Sequence, residues 1–422
     1  MSVLRVDHRL PSICAAVALL SGCASHGGAS GPGGLVPATQ SVRAASGNEH
    51  VLYSFTGGTD GGNAASELTF DRTGDLYGTT VVGGGANCGT VFELAPGSGS
   101  TWKETVAYSF SCYGDGKNPH GGVTFQRGTF VGTTVAGGTG GYCTGDGCGV
   151  AFALTPARLN VLYSFTGGND GFGPGGGLTP DSAGHLYGTA PDGGAFSEGV
   201  VYKLARNGTR WHQRVIHAFT GGSDGAIGSL GRLLYESPAF FGVTELGGKR
   251  GNGTVFRIQP SGGQWKLTTL YSFKGTPDAG SPYGGLVADS SGNLYGTTYY
   301  GGANGFGAIF KLVRNPNGSY RERVLHSFKG GADGSYSTST LAFGNSTTLF
   351  GTTSSGGGSC DCGTIFKVDA KTGAEAVLHS FGGAGDGAYP YYGMMVDSSG
   401  NFYGTTVAGG TQNQGTVFEF TP

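Results

Sequence analysis

Seven aspartates are the most regularly spaced chemical groups in the sequence. Each stands five residues after a phenylalanine that ends a Tyr-Ser-Phe-type motif: Asp60, Asp115, Asp170, Asp224, Asp278, Asp333 and Asp386. Seven carboxylates on one face would form an acidic ring able to hold Ca²⁺, a cation that takes about six to eight oxygen ligands. Each loop has a single carboxylate, however, without the Asp-x-Asp-x-Asp spacing of a calcium loop. The sequence therefore favours the alternative that each Asp accepts backbone hydrogen bonds and shapes its own turn.

Groups that a binding site needs once are expected at positions that differ from loop to loop. These positions lie five or six residues beyond an aspartate, or just after a Tyr-Gly-Thr-Thr motif. They hold His120, Tyr283, Tyr391, Tyr392, Asp192, Glu245, Tyr299 and Tyr300. Aromatic faces beside a few polar groups suit carbohydrate or peptide binding. The alternative, which the sequence favours, is that the tyrosines pack the loops. His120 is a candidate general base, but the sequence places no nucleophile or acid beside it.

The N-terminal segment predicts export. Residues 1–22 combine two arginines with an apolar run of 11 residues, Leu10–Leu20, as in a secretory signal. The next positions, "LSGC", resemble the bacterial lipobox, which implies cleavage before Cys23, attachment of lipid to its sulfur and an outer-membrane lipoprotein. An ordinary signal peptide and an extracellular protein are the alternative. Residues 23–49 are rich in Gly, Ala and Ser and predict a flexible tether between the lipid and a domain over residues 50–422.

Six further cysteines lie in that domain, and an even number in an exported protein predicts disulfides. The expected pairs are Cys88–Cys112, Cys143–Cys148 and Cys360–Cys362. Zinc is the alternative, but no His stands at zinc-like spacing from these cysteines. Apart from the Ca²⁺ alternative, no cofactor is expected.

The composition limits the partners. The net charge is -2 and no Lys/Arg cluster is present, which argues against nucleic-acid binding. Apolar residues make up 37% of the chain, enough for a large core, although 88 residues are Gly. Beyond residue 25 no apolar run approaches the roughly 18 residues that span a bilayer.

Three motifs recur in fixed order and divide residues 50–422 into seven units. The phenylalanines of the first motif lie 53 to 55 residues apart, at Phe55, Phe110, Phe165, Phe219, Phe273, Phe328 and Phe381. Each unit contains four short runs rich in β-branched and aromatic residues, separated by Gly, Asn, Asp, Ser and Pro. Such units predict an all-β, seven-bladed β-propeller with four antiparallel strands per blade. A β-solenoid is the alternative, but its coils are much shorter.

The order of the runs predicts the strand order within a blade. The small, Gly-rich run suits the crowded innermost strand, and the Tyr-Ser-Phe run is then outermost. The chain starts on an outermost strand, Val51–Phe55, and ends after a third strand. Blade seven is therefore expected to close with the N-terminal strand.

The units "LYGTT..GG......GTVF.L" resemble the GloVer (Gloeo-Verruco) tandem repeat of bacterial surface proteins, and the blade plan is similar to kelch. The resemblance covers about residues 50–422 and all seven copies, with local departures such as "VGTT" at Val131 and "GVVY" at Gly199. It implies the propeller fold and implies no particular reaction, because we know of none assigned to the family.

These features predict a lipid-anchored β-propeller of the cell envelope that acts as a binding module for a carbohydrate, peptide or protein. Two alternatives stay open. The first is an extracellular lyase or hydrolase that acts on a glycan or small molecule at the channel mouth, because propellers host enzymes as well as binding proteins. The second is a purely structural envelope protein. The sequence leans away from an enzyme because it contains no paired carboxylates, nucleophile motif or metal triad.

Overall fold

The computed structural model of the protein describes residues 48–97, 101–141, 143, 145–228 and 231–422. Within these ranges the chain forms seven blades, each with four antiparallel strands, so the predicted seven-bladed β-propeller is confirmed. The predicted signal peptide, Cys23 and nearly all of the tether lie outside the described residues. No helix in the described ranges is long and apolar enough to cross a membrane.

In blades one to six the strands follow one another in chain order from the axis outward. Blade one has β2 (Thr69–Phe70), β3 (Leu76–Thr80), β4 (Thr90–Pro96) and β5 (Trp102–Ser109). Blade two has β6 (Val123–Gln126), β7 (Thr129–Thr134), β8 (Val150–Thr155) and β9 (Arg158–Ser164). Blade three has β10 (Thr179–Pro180), β11 (Leu186–Ala190), β12 (Val200–Asn207) and β13 (Arg210–Ala218).

Blades four, five and seven have an innermost strand in two pieces. Blade four has β14 (Ala226–Gly228) with β15 (Leu234–Glu236), then β16 (Ala239–Leu246), β17 (Thr254–Ser261) and β18 (Gln264–Ser272). Blade five has β19 (Ala279–Pro282) with β20 (Val287–Ala288), then β21 (Leu294–Gly301), β22 (Ala308–Arg314) and β23 (Tyr320–Ser327). Blade six has β24 (Ala342–Phe343), β25 (Thr348–Thr353), β26 (Thr364–Asp369) and β27 (Glu375–Ser380). Blade seven has β28 (Gly387–Ala388), β29 (Met395–Val396), β30 (Phe402–Thr406), β31 (Ala408–Gly409) and β32 (Thr416–Thr421), and its outermost strand is β1 (Asn48–Ser54).

The N-terminal strand closes the ring, as predicted. Strand β1 pairs antiparallel with β32, from Asn48 opposite Thr421 to Ser54 opposite Thr416. The first and last strands of the described domain therefore share one sheet, held by hydrogen bonds rather than by a covalent link.

The Tyr-Gly-Thr-Thr motif is a structural element of every blade. A Cβ built on its glycine would lie 2.5–2.7 Å from the ring of the third strand's aromatic residue, so only Gly admits that ring. The seven pairs are Gly78 with Phe92, Gly132 with Phe152, Gly188 with Tyr202, Gly242 with Phe256, Gly296 with Phe310, Gly351 with Phe366 and Gly404 with Phe418.

The two threonines of the motif have different roles. In blades one, five, six and seven the first donates its hydroxyl to the innermost segment of the next blade, as Thr79 does to the carbonyl of Pro119 and Thr297 to that of Ser339. In blades one, four, six and seven the second pairs with the first threonine of the third strand in its own blade, as Thr80 does with Thr90 at 2.8 Å. The motif thus fastens blades to each other and strands within a blade.

The same third-strand ring also meets the preceding blade. The phenylalanine that ends each outermost strand packs edge-on against it, with centroids 5.0–5.5 Å apart. Such edge-to-face pairs add about 0.5–1.5 kcal/mol beyond the area that they bury. All seven blade interfaces have this pair, including the two on either side of the closing strand.

An ion pair crosses the axis of the propeller. Arg232 of blade four lies with its Nε 3.2 Å from Glu67 Oε2 of blade one, and its Nη2 donates to the carbonyl of Val123 in blade two at 2.9 Å. Glu67 also accepts the hydroxyl of Thr340, in blade six, at 2.7 Å. Blades one, two, four and six are not all neighbours, so these contacts are possible only across the centre. The positions equivalent to Glu67 in blades two, three, five and seven are glycines, which leave space for the arginine.

Deletion of Val51–Phe55 is expected to open the ring, because β32 then loses its outer partner and Phe92 loses its edge-on ring. The truncated chain should melt at a clearly lower temperature by circular dichroism. Melting like the full chain would show that the ring does not depend on this strand.

Replacing Arg232 by Ala should destabilise the propeller by about 1–3 kcal/mol, because Glu67 then keeps its charge without a cationic partner. The double variant Glu67→Ala/Arg232→Ala should melt no lower than Arg232→Ala alone, since the unpaired carboxylate is gone. Strictly additive losses in thermal melts would show that the two side chains act independently.

Candidate functional site

Seven tyrosines gather on the loops of three neighbouring blades. We define the tyrosine patch as Tyr283, Tyr299, Tyr300, Tyr336, Tyr389, Tyr391 and Tyr392, all from the segments of blades five, six and seven that lead into or follow the inner strands. Five of the seven are candidate site residues from the sequence, and the structure brings these five together.

The blade-five part of the patch is a network of stacked rings. Tyr299 stacks on Tyr336 with centroids 5.0 Å apart and meets Tyr300 edge-on at 4.7 Å. Tyr283 lies 6.5 Å from Tyr299, and Phe306 lies under Tyr336 at 5.9 Å. Tyr300 keeps 40% of its surface exposed, so the network reaches solvent instead of closing into a core.

The blade-seven part of the patch rests on an apolar floor. Tyr389, Tyr391 and Tyr392 pack against a small cluster of buried residues from blades one and seven, which comprises Ala65, Val81 and Val407. Thr338 of blade six holds the loop by donating its hydroxyl to the carbonyl of Tyr391 at 2.5 Å. The three rings are partly buried and keep some surface at the mouth.

Burial and neighbouring groups set the electrostatics of the blade-five tyrosines. Burial, together with neighbouring phenols and the carboxylate of Glu245, raises the pKa of Tyr299 to about 12. Burial and the same carboxylate hold the pKa of Tyr283 well above its usual range. Burial also raises the pKa of Glu245. Glu245 therefore lies close to the blade-five tyrosines, and the site offers neutral hydroxyl donors beside one carboxylate acceptor.

Two of the sequence candidates do not join this cluster. His120 is buried, and burial lowers its pKa to about 4, so the imidazole is neutral at pH 7. No hydrogen bond joins its ring to another described residue. Asp192 is exposed, and its backbone forms a bridge with Phe172 in blade three.

The seven aspartates of the acidic ring share one local geometry. Each accepts the backbone N–H of the residue four positions before it, as Asp170 does from Thr166 at 2.8 Å. Each also accepts a hydrogen bond from a Tyr hydroxyl or a His Nε2 seven positions before it, for example from Tyr163 at 2.9 Å. The contacts are those of the turn-shaping alternative.

The structure contains three disulfides, and they join the predicted pairs: Cys88–Cys112, Cys143–Cys148 and Cys360–Cys362. Cys88 precedes β4 and Cys112 follows β5, so the first bond ties the two ends of one hairpin. The other two hold loops between strands two and three of blades two and six.

Sequence reasoning missed Tyr336 and Tyr389. Both stand three residues after an aspartate of the acidic ring, where the backbone is left-handed in all seven repeats, with φ of 56° and 59° for the two tyrosines. The other five repeats place Asn63, Asn118, Gly173, Ile227 and Ser281 there. Asn and Gly tolerate this conformation, and a bulky ring does so at a cost in free energy. An aromatic residue at a position suited to Asn was the signal in the sequence.

Comparison with known proteins identifies the repeat. The family profile of the Gloeobacter/Verrucomicrobia repeat matches residues 144–360 and 266–422, which together span more than half of the chain. No curated protein sequence matches the chain.

Several solved structures resemble the chain weakly. The "putative 6-phosphogluconolactonase" of Bacteroides uniformis is 14% identical over 74% of this chain and 83% of its own, with a TM-score of 0.49. The "hypothetical selenium-binding protein" of Sulfolobus tokodaii is 9% identical over 72% and 74%, with a TM-score of 0.49. The puromycin-hydrolyzing peptidase of Mycobacterium tuberculosis is 12% identical over 86% and 60%, with a TM-score of 0.40. Similarities of this size carry no argument about function, whereas the repeat profile covers most of the propeller. The chain belongs to the Gloeobacter/Verrucomicrobia repeat family.

Proposed function

We propose that this propeller is a binding module of the bacterial cell envelope and that it binds a glycan on the tyrosine patch. The observation that carries the proposal is the gathering of seven tyrosines on the loops of three neighbouring blades. Positions equivalent to Tyr299, Tyr300 and Tyr391 hold valines and alanine in blade one, and the fold is the same there. Blade packing therefore does not require these rings.

The chemistry of the patch suits a sugar. Ring faces bury the apolar C–H surface of a pyranose, while the phenol hydroxyls and Glu245 offer hydrogen bonds to its hydroxyls. Burial and neighbouring groups raise the pKa of Tyr299 to about 12, so this hydroxyl is a neutral hydrogen-bond donor at pH 7. A neutral polyol fits this surface better than an anion, because Glu245 contributes negative charge at the same place.

Backbone strain supports a functional role for two of the rings. Tyr336 and Tyr389 occupy a left-handed position that Asn or Gly fills more easily. The presence of aromatic rings at both positions, in adjacent blades, favours a role beyond packing. The strained residues lie against Tyr299 in one case and against the floor of Ala65, Val81 and Val407 in the other.

The envelope location rests on the N-terminal sequence. The lipobox-like "LSGC" would place lipid on Cys23, and the Gly-rich tether would hold the propeller off the membrane. A binding module displayed in this way meets extracellular or cell-wall glycans directly.

The binding proposal predicts that Tyr336→Asn lowers affinity for a bound oligosaccharide at least tenfold, because it removes a stacking ring. The melting temperature should stay the same or rise, since Asn occupies this position in blades one and two. A glycan array would select the sugar, and isothermal titration would give the affinity of the full chain and the variant.

The matched control is Tyr113→Ala, because Tyr113 is 79% exposed and lies outside the patch. It should leave the affinity unchanged. If a sugar binds both variants with the affinity that it has for the unmodified protein, its binding site lies elsewhere. Binding of a cell-wall peptide in place of every sugar would overturn the glycan assignment, and shortening of the sugar during incubation would reveal an enzyme.

Lipid attachment is tested separately. In a Gram-negative host, Cys23→Ala should move the protein from the membrane fraction to the soluble fraction and abolish incorporation of labelled palmitate. Cys14→Ala is the control and should change neither. Labelling that survives Cys23→Ala would contradict the lipobox interpretation.

A further inference from the structure

Three blades carry histidine where the others carry tyrosine. The residue two positions before the phenylalanine of the first motif is His217, His326 or His379 in the outer strands of blades three, five and six. Each donates or shares a hydrogen bond through Nε2 with the aspartate that follows, at 2.9–3.2 Å. In the other four repeats a tyrosine hydroxyl makes this contact. A histidine in its place adds a nitrogen that can bind a metal ion.

A glutamate of the next blade's outer strand faces two of these His–Asp pairs. Glu375 in β27 lies with Oε2 3.9 Å from Nε2 of His326, which is itself 3.0 Å from Asp333 Oδ2. Glu49 in β1 lies in the same way beside His379 and Asp386. In each trio the candidate ligand atoms all lie within 4.8 Å of one another.

One oxygen of each glutamate has no hydrogen-bond partner among the described residues. The side chain of Glu375 is only 5% exposed, and its Oε1 is buried without a hydrogen-bond partner among the described residues. Oε1 of Glu49 is also buried and unpartnered there. A buried carboxylate oxygen without a donor costs about 1–3 kcal/mol or more, and a bound cation would remove that cost.

The spacing of the three groups matches a small metal ion. Tetrahedral zinc, with bonds of about 2.0–2.2 Å, separates its ligand atoms by roughly 3.3–3.6 Å. The N···O separations of 3.0 and 3.9 Å at His326 lie on either side of that range. Small side-chain rotations would bring one nitrogen and two carboxylate oxygens to bonding distance and leave a fourth position for water.

We propose that the propeller binds a first-row divalent cation of the zinc type at His326, Asp333 and Glu375, and a second at Glu49, His379 and Asp386. The imidazole favours zinc over Ca²⁺ and Mg²⁺, which prefer oxygen ligands alone. Each histidine binds through Nε2, so its ring proton resides on Nδ1, and both carboxylates bind as anions. The sites are therefore distinct from a calcium ring that uses all seven aspartates.

Each ion would join two blades. The histidine and aspartate come from one blade's outer strand and the turn after it, and the glutamate comes from the outer strand of the next blade. The two sites fasten blade five to blade six and blade six to blade seven. Metal binding should therefore stabilise the folded ring.

The repeats contain their own comparison sites. His217 and Asp224 form the same pair, but Leu267 stands at the glutamate position, so the third ligand is missing. Asp278 and Glu322 have both carboxylates, but Tyr271 replaces the histidine. The first comparison lacks a carboxylate and the second lacks the nitrogen.

The test is titration of the EDTA-treated full chain with ZnCl₂, without reductant and in a Cys14→Ser/Cys23→Ser background, so that no free thiol competes. Two ions per chain should bind with micromolar or better affinity and raise the melting temperature, and CaCl₂ should not compete. His326→Tyr and His379→Tyr should each remove one ion, because tyrosine keeps the hydrogen bond to aspartate and is native to the other repeats. His217→Tyr should remove none.

A variant that gains a metal site gives a stronger test than the variants that lose one. Tyr271→His completes the third trio with Asp278 and Glu322 and should raise the stoichiometry from two ions to three. Glu375→Gln should remove one ion and, without metal, preserve the melting temperature. Retention of two tight ions in the double variant His326→Tyr/His379→Tyr, or no zinc binding by a folded chain, would overturn the proposal. Neither result tests the tyrosine patch, because sugar binding is the measurement that tests it.

Discussion

The structure depends on one steric fit that is repeated in every blade: an aromatic ring of the third strand lies directly on the α-carbon of a glycine in the second strand. With Cβ distances of 2.5–2.7 Å, no other residue fits beneath the ring. The same ring receives the edge of a phenylalanine from the preceding blade. One contact thus sets both the packing within a sheet and the spacing between sheets. For this reason the motifs recur with little change, while the loops around them vary.

That constraint explains where chemistry is possible. The positions that hold the blades together recur in all seven repeats. They therefore cannot also form a site that the protein needs only once. Two sets of positions escape the constraint: those at the mouth and those on the outer strands beside the acidic ring. The tyrosine patch belongs to the first set, and the His–Asp–Glu trios belong to the second. Both lie where some repeats differ from the others.

Most of the fold follows from the sequence, because the period of the motifs fixes the number of blades and the hydrophobic runs fix the strands. The closing role of β1 follows from the order of the runs alone. The innermost strands are less regular than expected, with only two paired residues in several blades. Near the axis the glycine backbones of adjacent blades come into direct contact, as Gly121 does with Gly177, and little room is left for a continuous ladder.

The site was harder to predict, for physical reasons that differ from residue to residue. Tyr283 and Tyr299 stood out by type and position, but their stacking with Tyr336 depends on a left-handed turn that the sequence does not reveal. Arg232 and Glu67 gave no signal, since they lie 165 residues apart and meet only because the ring brings opposite blades to one axis. Contacts between opposite sides of a closed ring leave no pattern in the spacing of residues along the sequence.

The tyrosine patch and the His–Asp–Glu trios both lie in blades five to seven. The closing strand lies in the same part of the ring. The ring is completed by β1, which is hydrogen-bonded to β32 but has no covalent bond to it. Glu49, a ligand in the second proposed metal site, lies on β1 itself, and its partners His379 and Asp386 belong to blade six and the turn after it. An ion there would hold the closing strand from the side opposite to Phe92. The tyrosine patch would then be presented by the part of the ring whose blade interfaces are most firmly fixed, as a preorganised binding surface requires.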